Sequence, residues 1–156
     1  MTAPIGVGII GAGGISRSHA RAYQRLPDVK IVGVADIVGD RARAAAEEWG
    51  APYAFDNVAD LVALPEVEAV SVCTFNQAHR PAVIAALEAG KPVLVEKPLA
   101  ATLDDAVAMI RAANRSKAFL QTGFWPRFQP EVMAAKRIVE SGALGDLYYA
   151  QMVGGR

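Results

Sequence analysis

"IGVGIIGAGGIS", residues 5–16, decides how this chain is to be read. Ile5 to Ile10 form a compact apolar run, the length of a buried strand, and a cluster of glycines ends it. A helical pattern, "ISRSHARAYQRL" (15–26), starts at once, with Ile15, Ala22, Tyr23 and Leu26 expected on its buried face. Strand, glycine turn and helix in that order set Gly11-x-Gly13-x-x-Ser16 where a phosphate loop needs it. Gly11 permits the tight turn, and Gly13 lets backbone amides approach a pyrophosphate with no Cβ in the way. A small residue at Ser16, where a third glycine is usual, still lets the helix pack close to the strand. The anion would sit on the helix N-terminus, where free amides and the dipole favour it. Gly11, Gly13, Gly14 and Ile15 are therefore candidate cofactor contacts.

An acid stands in the matching place. Asp36 closes a second strand, "VKIVGVAD" (29–36), twenty residues past Ser16. A carboxylate there accepts hydrogen bonds from both hydroxyls of an adenosine ribose and repels a 2′-phosphate. The next residue, Ile37, offers no cation, so the expected cofactor is NAD. Arg41 and Arg43 lie near enough to keep NADP as the less favoured alternative.

Outward from this loop the same alternation recurs. "PYAF" (52–55), "VEAVSVCT" (67–74), "PVLVE" (92–96) and "AFLQTGF" (118–124) read as further strands. Helical patterns at 39–50, 57–64, 78–90 and 102–116 separate them, with glycine, proline or a Thr-x-x-Asp cap at their ends. Strands that are continuous apolar runs, divided by helices, indicate a parallel sheet covered on both faces. The expected fold class is α/β, a doubly wound parallel sheet of Rossmann type. The character changes after "PRFQP": a helix (131–142) leads to "LYYAQMV" (147–153), which reads as the first strand of something else.

Composition narrows the function. The 156 residues carry 16 basic and 16 acidic side chains with no block of one sign, which leaves no footprint for nucleic acid or an anionic membrane. No apolar run reaches the roughly 18 residues of a membrane span. The single cysteine, Cys73, excludes an internal disulfide and suits a reducing compartment, so a soluble cytoplasmic protein is expected. Cys73 itself reads as a small buried strand residue, and Trp49, Trp125 and the methionines as packing. No metal site is expected.

In an open parallel sheet, ligands bind outside the carboxyl ends of the strands, at the switch in strand order. "KPVLVEKPLAAT" (91–102) delivers Glu96, Lys97 and Pro98 to that rim. The Lys97 ammonium would stand at the reactive end of a dinucleotide, donating to a substrate oxygen and stabilising charge there. Glu96 would hold the lysine charged and oriented.

"GAGGIS", "VADIVGDRA", "TFNQAH", "AGKPVLVEKPLAAT" and "GFWPRFQP" follow one another as in the Gfo/Idh/MocA family of NAD(P)-dependent oxidoreductases, which the chain resembles from about residue 5 to 153. The resemblance implies hydride transfer between nicotinamide and a carbinol carbon of a sugar, inositol or similar polyol. It makes Lys97 the catalytic residue, which contacts substrate and assists proton movement. It sets Thr74, Asn76 and His79 beside the nicotinamide half, Glu96 with them, and Arg127 at the cofactor or the domain junction. Phe75 stands where the family often has proline. His19 either faces the pocket or is a plain helix position.

The resemblance also implies the boundaries. Residues 1–125 form the dinucleotide-binding domain, and 126–156 a linking helix and the first strand of a truncated C-terminal substrate domain. That domain would supply an aspartate and a histidine for proton transfer and the contacts of a homo-oligomer. The chain is thus expected to be a portion of a longer protein, able to bind dinucleotide with little turnover alone. Two other readings keep the fold: a non-catalytic dinucleotide-binding or regulatory module, and a reductase of a biliverdin-like or imine substrate.

Overall fold

The computed structural model describes residues 3–151. Strands and helices alternate as β1 (Ile5–Ile10), α1 (Gly14–Tyr23), β2 (Val29–Ala35), α2 (Gly39–Trp49), β3 (Tyr53–Phe55) and α3 (Val58–Ala63). They continue as β4 (Ala69–Val72), α4 (His79–Glu88), β5 (Val93–Val95), α5 (Leu103–Ser116), β6 (Leu120–Thr122) and α6 (Pro130–Glu140). One sheet of six strands takes the order β3-β2-β1-β4-β5-β6, and every pair is parallel. The expected doubly wound fold is what forms, and the order reverses between β1 and β4.

Layering follows from residue alternation along each strand. Ile10, Val32, Val70, Val72, Val93 and Val95 turn to one face, where α3, α4 and α5 cover them with Leu61, Val83, Leu87 and Met109. Ile9, Ile31, Val34 and Cys73 turn to the other, against Ala20 of α1 and Ala45, Ala46 and Trp49 of α2. Alternation alone would send Val34 to the face of Val32. The register between β1 and β2 jumps at Val7/Gly8, from Ile31 to Gly33, and this bulge resets the phase.

Local signals set the ends. Asn57 and Thr102 cap α3 and α5, each accepting the backbone N–H three residues on (2.9 and 3.2 Å). Gly50 closes α2 in the left-handed conformation. The buried face of α1 differs from the expected one. Ser16 and Ala20 are buried and His19 and Tyr23 half-buried, whereas Ile15 and Leu26 are 43% and 50% exposed. A helix pressed close behind a glycine turn faces the sheet with its small residues, and the apolar stripe is not the inner one.

A first compact unit runs to Gly123, and a second begins at Phe124. The second contains a 3-10 turn, Trp125–Phe128, and α6. Trp125 and Met133, read as packing, are 58% and 42% exposed there, since one turn and one helix enclose no interior. The expected strand 147–153 does not appear over 147–151, which pair with no neighbour; 152–153 lie outside the described residues. A strand exists by pairing its backbone with another, and none is present for it among the described residues.

Leu61 fills the hollow over two glycines of adjacent strands. A Cβ added at Gly8 or Gly33 would come within 3.1 or 2.7 Å of its side chain. Neither glycine can extend into the space that a truncation leaves. Leu61→Ala should therefore cost about 3–5 kcal/mol in urea denaturation, the upper part of the range for such changes. Ile110→Ala, at a 48% exposed position, should cost less than about 1 kcal/mol.

Candidate functional site

Four chain segments end on the carboxyl rim of the sheet around the switch between β1 and β4: the glycine loop, Asp36, the Thr74–Asn76 turn and Glu96–Lys97. The sequence reading is right about this meeting. At the turn, Gly11 has φ +95°, and a Cβ there would lie 2.8 Å from the Cys73 carbonyl oxygen. Its own N–H donates to the Ala35 carbonyl (2.7 Å), so the loop is fixed by β2 as well as by β4.

Gly13 and Gly14 differ from Gly11 in kind. A Cβ at either meets nothing within 4 Å. The protein's own packing does not require glycine at these two positions; open access to the backbone does. α1 begins here with no side-chain cap and no acid in its first turn, so its leading amides keep no acceptor from their own chain. Ser16 is wholly buried and its hydroxyl donates to the Gly13 carbonyl (2.6 Å), which clips the loop to the helix. Ile15 turns its side chain to solvent. These features fit a pyrophosphate set on backbone N–H groups.

Asp36 is half-buried at the end of β2. Its Oδ2 accepts the Ala12 N–H (2.8 Å) and its Oδ1 the Val38 N–H (2.9 Å). Each oxygen keeps lone pairs for a diol, so Asp36 both shapes the loop and offers a ribose acceptor. Ile37 is 92% exposed, and Arg43 is bound by Asp40.

The neighbouring turn separates contact residues from supports. Asn76 is exposed and begins a 3-10 turn, Asn76–Ala78, while Thr74 is half-buried with its hydroxyl on the Phe75 carbonyl (3.3 Å). His79, expected as a cofactor contact, is wholly buried instead. Its Nδ1 lies 3.1 Å from the Pro98 and Leu99 carbonyls and its Nε2 3.2 Å from that of Thr74. All three are acceptors, so a neutral ring donates on one side only; it lies between the β4 turn and the segment after Lys97 and supports the rim from beneath.

Lys97 is exposed, two residues past the end of β5. Glu96 is 7% exposed and does not pair with its ammonium as expected. One carboxylate oxygen accepts the Lys97 backbone N–H (3.1 Å), and the other lies 2.9 Å from His19 Nε2. Glu96 thus meets the lysine through its peptide N–H, and its carboxylate, expected as a cofactor contact, lies buried beneath the rim. Arg127 belongs to the second unit, in the turn Trp125–Phe128.

Behind Glu96 runs a buried polar chain. His19 Nδ1 is 2.9 Å from the Ser71 hydroxyl, and Ser71 is 2.9 Å from the Tyr23 hydroxyl. The signal for it was present in "AVSV": a serine inside an apolar parallel strand needs a polar partner. The pairing of Ser71 with His19 and Tyr23 is not visible in sequence, because a helix partner is unknown until the helix is placed. Burial pushes the Tyr23 phenol up, against a lowering bond from Ser71. Burial first, then the Glu96 charge, push the Cys73 thiol up to about 12, which makes it an inert core residue.

The family model for oxidoreductases with an NAD-binding Rossmann fold, Gfo/Idh/MocA, matches residues 5–124. An inositol 2-dehydrogenase from Gluconacetobacter diazotrophicus is 40% identical over 147 residues, 92% of this chain and 43% of that protein. The chain therefore spans less than half the length of this relative. An NAD-binding oxidoreductase from Klebsiella pneumoniae superposes with TM-score 0.85 at 32% identity, over 92% of this chain and 40% of that one. A scyllo-inositol dehydrogenase from Lactobacillus casei, solved with bound NAD(H) and scyllo-inositol, superposes with TM-score 0.85 at 26% identity, over 92% and 43%.

Cys73 and Tyr23 both hold their protons more tightly folded than unfolded. Their contribution to stability is whole well below about pH 8.5, where an unfolded cysteine is half ionised, and is lost as pH rises through the folded values. Melting temperature should fall steadily from there toward pH 12. Cys73→Ala should flatten the fall above about pH 9, read by thermal scans across the range.

Proposed function

The chain belongs to the Gfo/Idh/MocA oxidoreductase family, and from that premise we propose that it forms the dinucleotide-binding half of an NAD-dependent polyol dehydrogenase. The observation that carries this reading is the open, uncapped start of α1 at Gly13 and Gly14, on one rim with the Asp36 carboxylate and Lys97. The backbone from Gly11 to Ile15 holds the pyrophosphate, and Asp36 takes the adenosine ribose. Thr74 and Asn76 flank the nicotinamide half. Bound NAD supplies the hydride acceptor, or NADH the donor. Lys97 donates a hydrogen bond to the substrate oxygen and stabilises the charge that develops there. Glu96 and His79 support the rim that presents it.

Inositol, or a polyol like it, is the proposed substrate class, supported by the relatives' names. Because the chain spans 43% of that relative, turnover is proposed for a polypeptide that carries a substrate half as well. Arg127 as a cofactor or junction contact, a homo-oligomeric assembly and a cytoplasmic location rest on the resemblance. No helix among the described residues is long and apolar enough to cross a membrane.

Titration followed by nicotinamide fluorescence should show NADH bound at least about tenfold more tightly than NADPH, a gap of about 1.4 kcal/mol. Asp36→Ser should narrow that gap; a preference for NADPH in the unaltered chain would refute the role given to Asp36. Gly13→Ala should leave the melting temperature nearly unchanged, since its Cβ meets nothing within 4 Å, yet weaken NADH binding strongly. In a polypeptide bearing both halves, Lys97→Met should abolish polyol oxidation with NADH affinity nearly unchanged. Surviving turnover would remove Lys97 from the chemistry.

A further inference from the structure

α1 serves the rim at two places. Its first turn, at Gly14, presents the amides behind the glycine loop. Five residues later, about 7.5 Å along the axis, it presents His19. The imidazole bridges Glu96 Oε1 on one side and Ser71 on the other, each at 2.9 Å. Glu96 Oε2 in turn accepts the Lys97 peptide N–H at 3.1 Å.

We propose that His19 is a positioning residue: through Glu96 it fixes the Lys97 peptide, and with it the part of the rim that floors the nicotinamide half of a dinucleotide. The proposal rests on the dinucleotide reading of the site. A carboxylate 7% exposed needs donors, and it has two, the His19 ring and the Lys97 N–H. With a neutral imidazole facing a carboxylate, counting donors and acceptors leaves one arrangement that uses every group. Tyr23 donates to Ser71, Ser71 donates to Nδ1, and Nε2–H donates to Glu96. No buried side-chain polar atom among the described residues lacks a partner.

Packing alone does not call for this chain. Ser16 and Ala20, the buried residues of the same helix, are small, and Ser71 sits between Val70 and Val72 in an otherwise apolar strand. A buried carboxylate held by an imidazole is a costly way to fill a core and an effective way to fix a direction. The direction fixed is that of the peptide bearing Lys97. The link also couples two parts of one ligand site, since the helix that carries the phosphate amides carries the imidazole.

The test compares NADH with ADP-ribose, which has the adenosine and pyrophosphate but no nicotinamide, on the full chain. His19→Ala should weaken NADH about tenfold, as expected for losing a hydrogen bond to a charged group, and leave ADP-ribose within about twofold. In 15N spectra the Lys97 amide should shift and exchange faster. Glu96→Gln cannot accept from both His19 and Lys97 with one remaining oxygen, so it should reproduce the pattern. The double variant should be no worse than either single one. His19→Gln keeps an amide donor toward Glu96 and should restore most of the NADH affinity.

Equal losses for both ligands would mean general loosening of α1 and overturn the proposal. So would unchanged NADH affinity in His19→Ala with the dinucleotide site otherwise intact. If His19→Ala does not fold, Glu96→Gln decides: NADH affinity undiminished relative to ADP-ribose overturns it. A chain that binds neither ligand refutes the dinucleotide reading and this inference with it.

Discussion

The crowding above Gly11 is the constraint from which the rim is built. β1 ends against the Cys73 carbonyl, with room for a hydrogen and none for a Cβ, and the backbone turns there at φ +95°. Because Gly11 also donates to Ala35, that turn is locked to β2 on one side and crowded by β4 on the other. α1 must then start directly above the gap between β1 and β4, where the strand order reverses. Its leading amides face outward because the chain gives them no cap. Asp36 reaches the same loop through Ala12, so its carboxylate and the leading amides of α1 share one support.

Below the rim the supports are polar where the rest of the interior is not. His79 ties the β4 turn to the segment after Lys97, and His19 ties α1 to Glu96. His19 has a partner on each ring nitrogen, and the buried His79 ring lies among three backbone carbonyls to which its N–H can donate, so both sit as braces beneath the rim. The exposed groups of the site, Lys97 and Asn76, stand on loops held by these braces. That division suits a binding site, in which the contacting side chain stays free and its backbone does not.

Much of this was legible beforehand because it depends on local pattern. Alternating apolar runs and helical stripes announced a parallel sheet, and Gly11, Gly13 and Asp36 stood at spacings that a phosphate turn and a ribose acceptor impose. Thr102 and Gly50 marked helix ends by chemistry confined to a few neighbouring residues. The errors were of another sort. The inner face of α1 was misjudged because close approach to the sheet favours Ser16 and Ala20 over the larger Ile15 and Leu26. His79 and Glu96, expected beside the cofactor, are buried, and they meet partners that no local pattern shows: the Pro98 and Leu99 carbonyls for one, His19 for the other.

Sequence by itself determined the order of elements, the place of the glycine turn and the acid that answers it, since each follows from periodicity or from a spacing of a few residues. It also determined that Lys97 would end a buried strand. Tertiary structure alone decided what Glu96 does. A carboxylate can serve its neighbour, a ligand or a distant ring, and no local rule chooses among them. Only when α1 packs on the sheet does His19, 77 positions earlier, come within 2.9 Å, and the low exposure of the pair favours that bond.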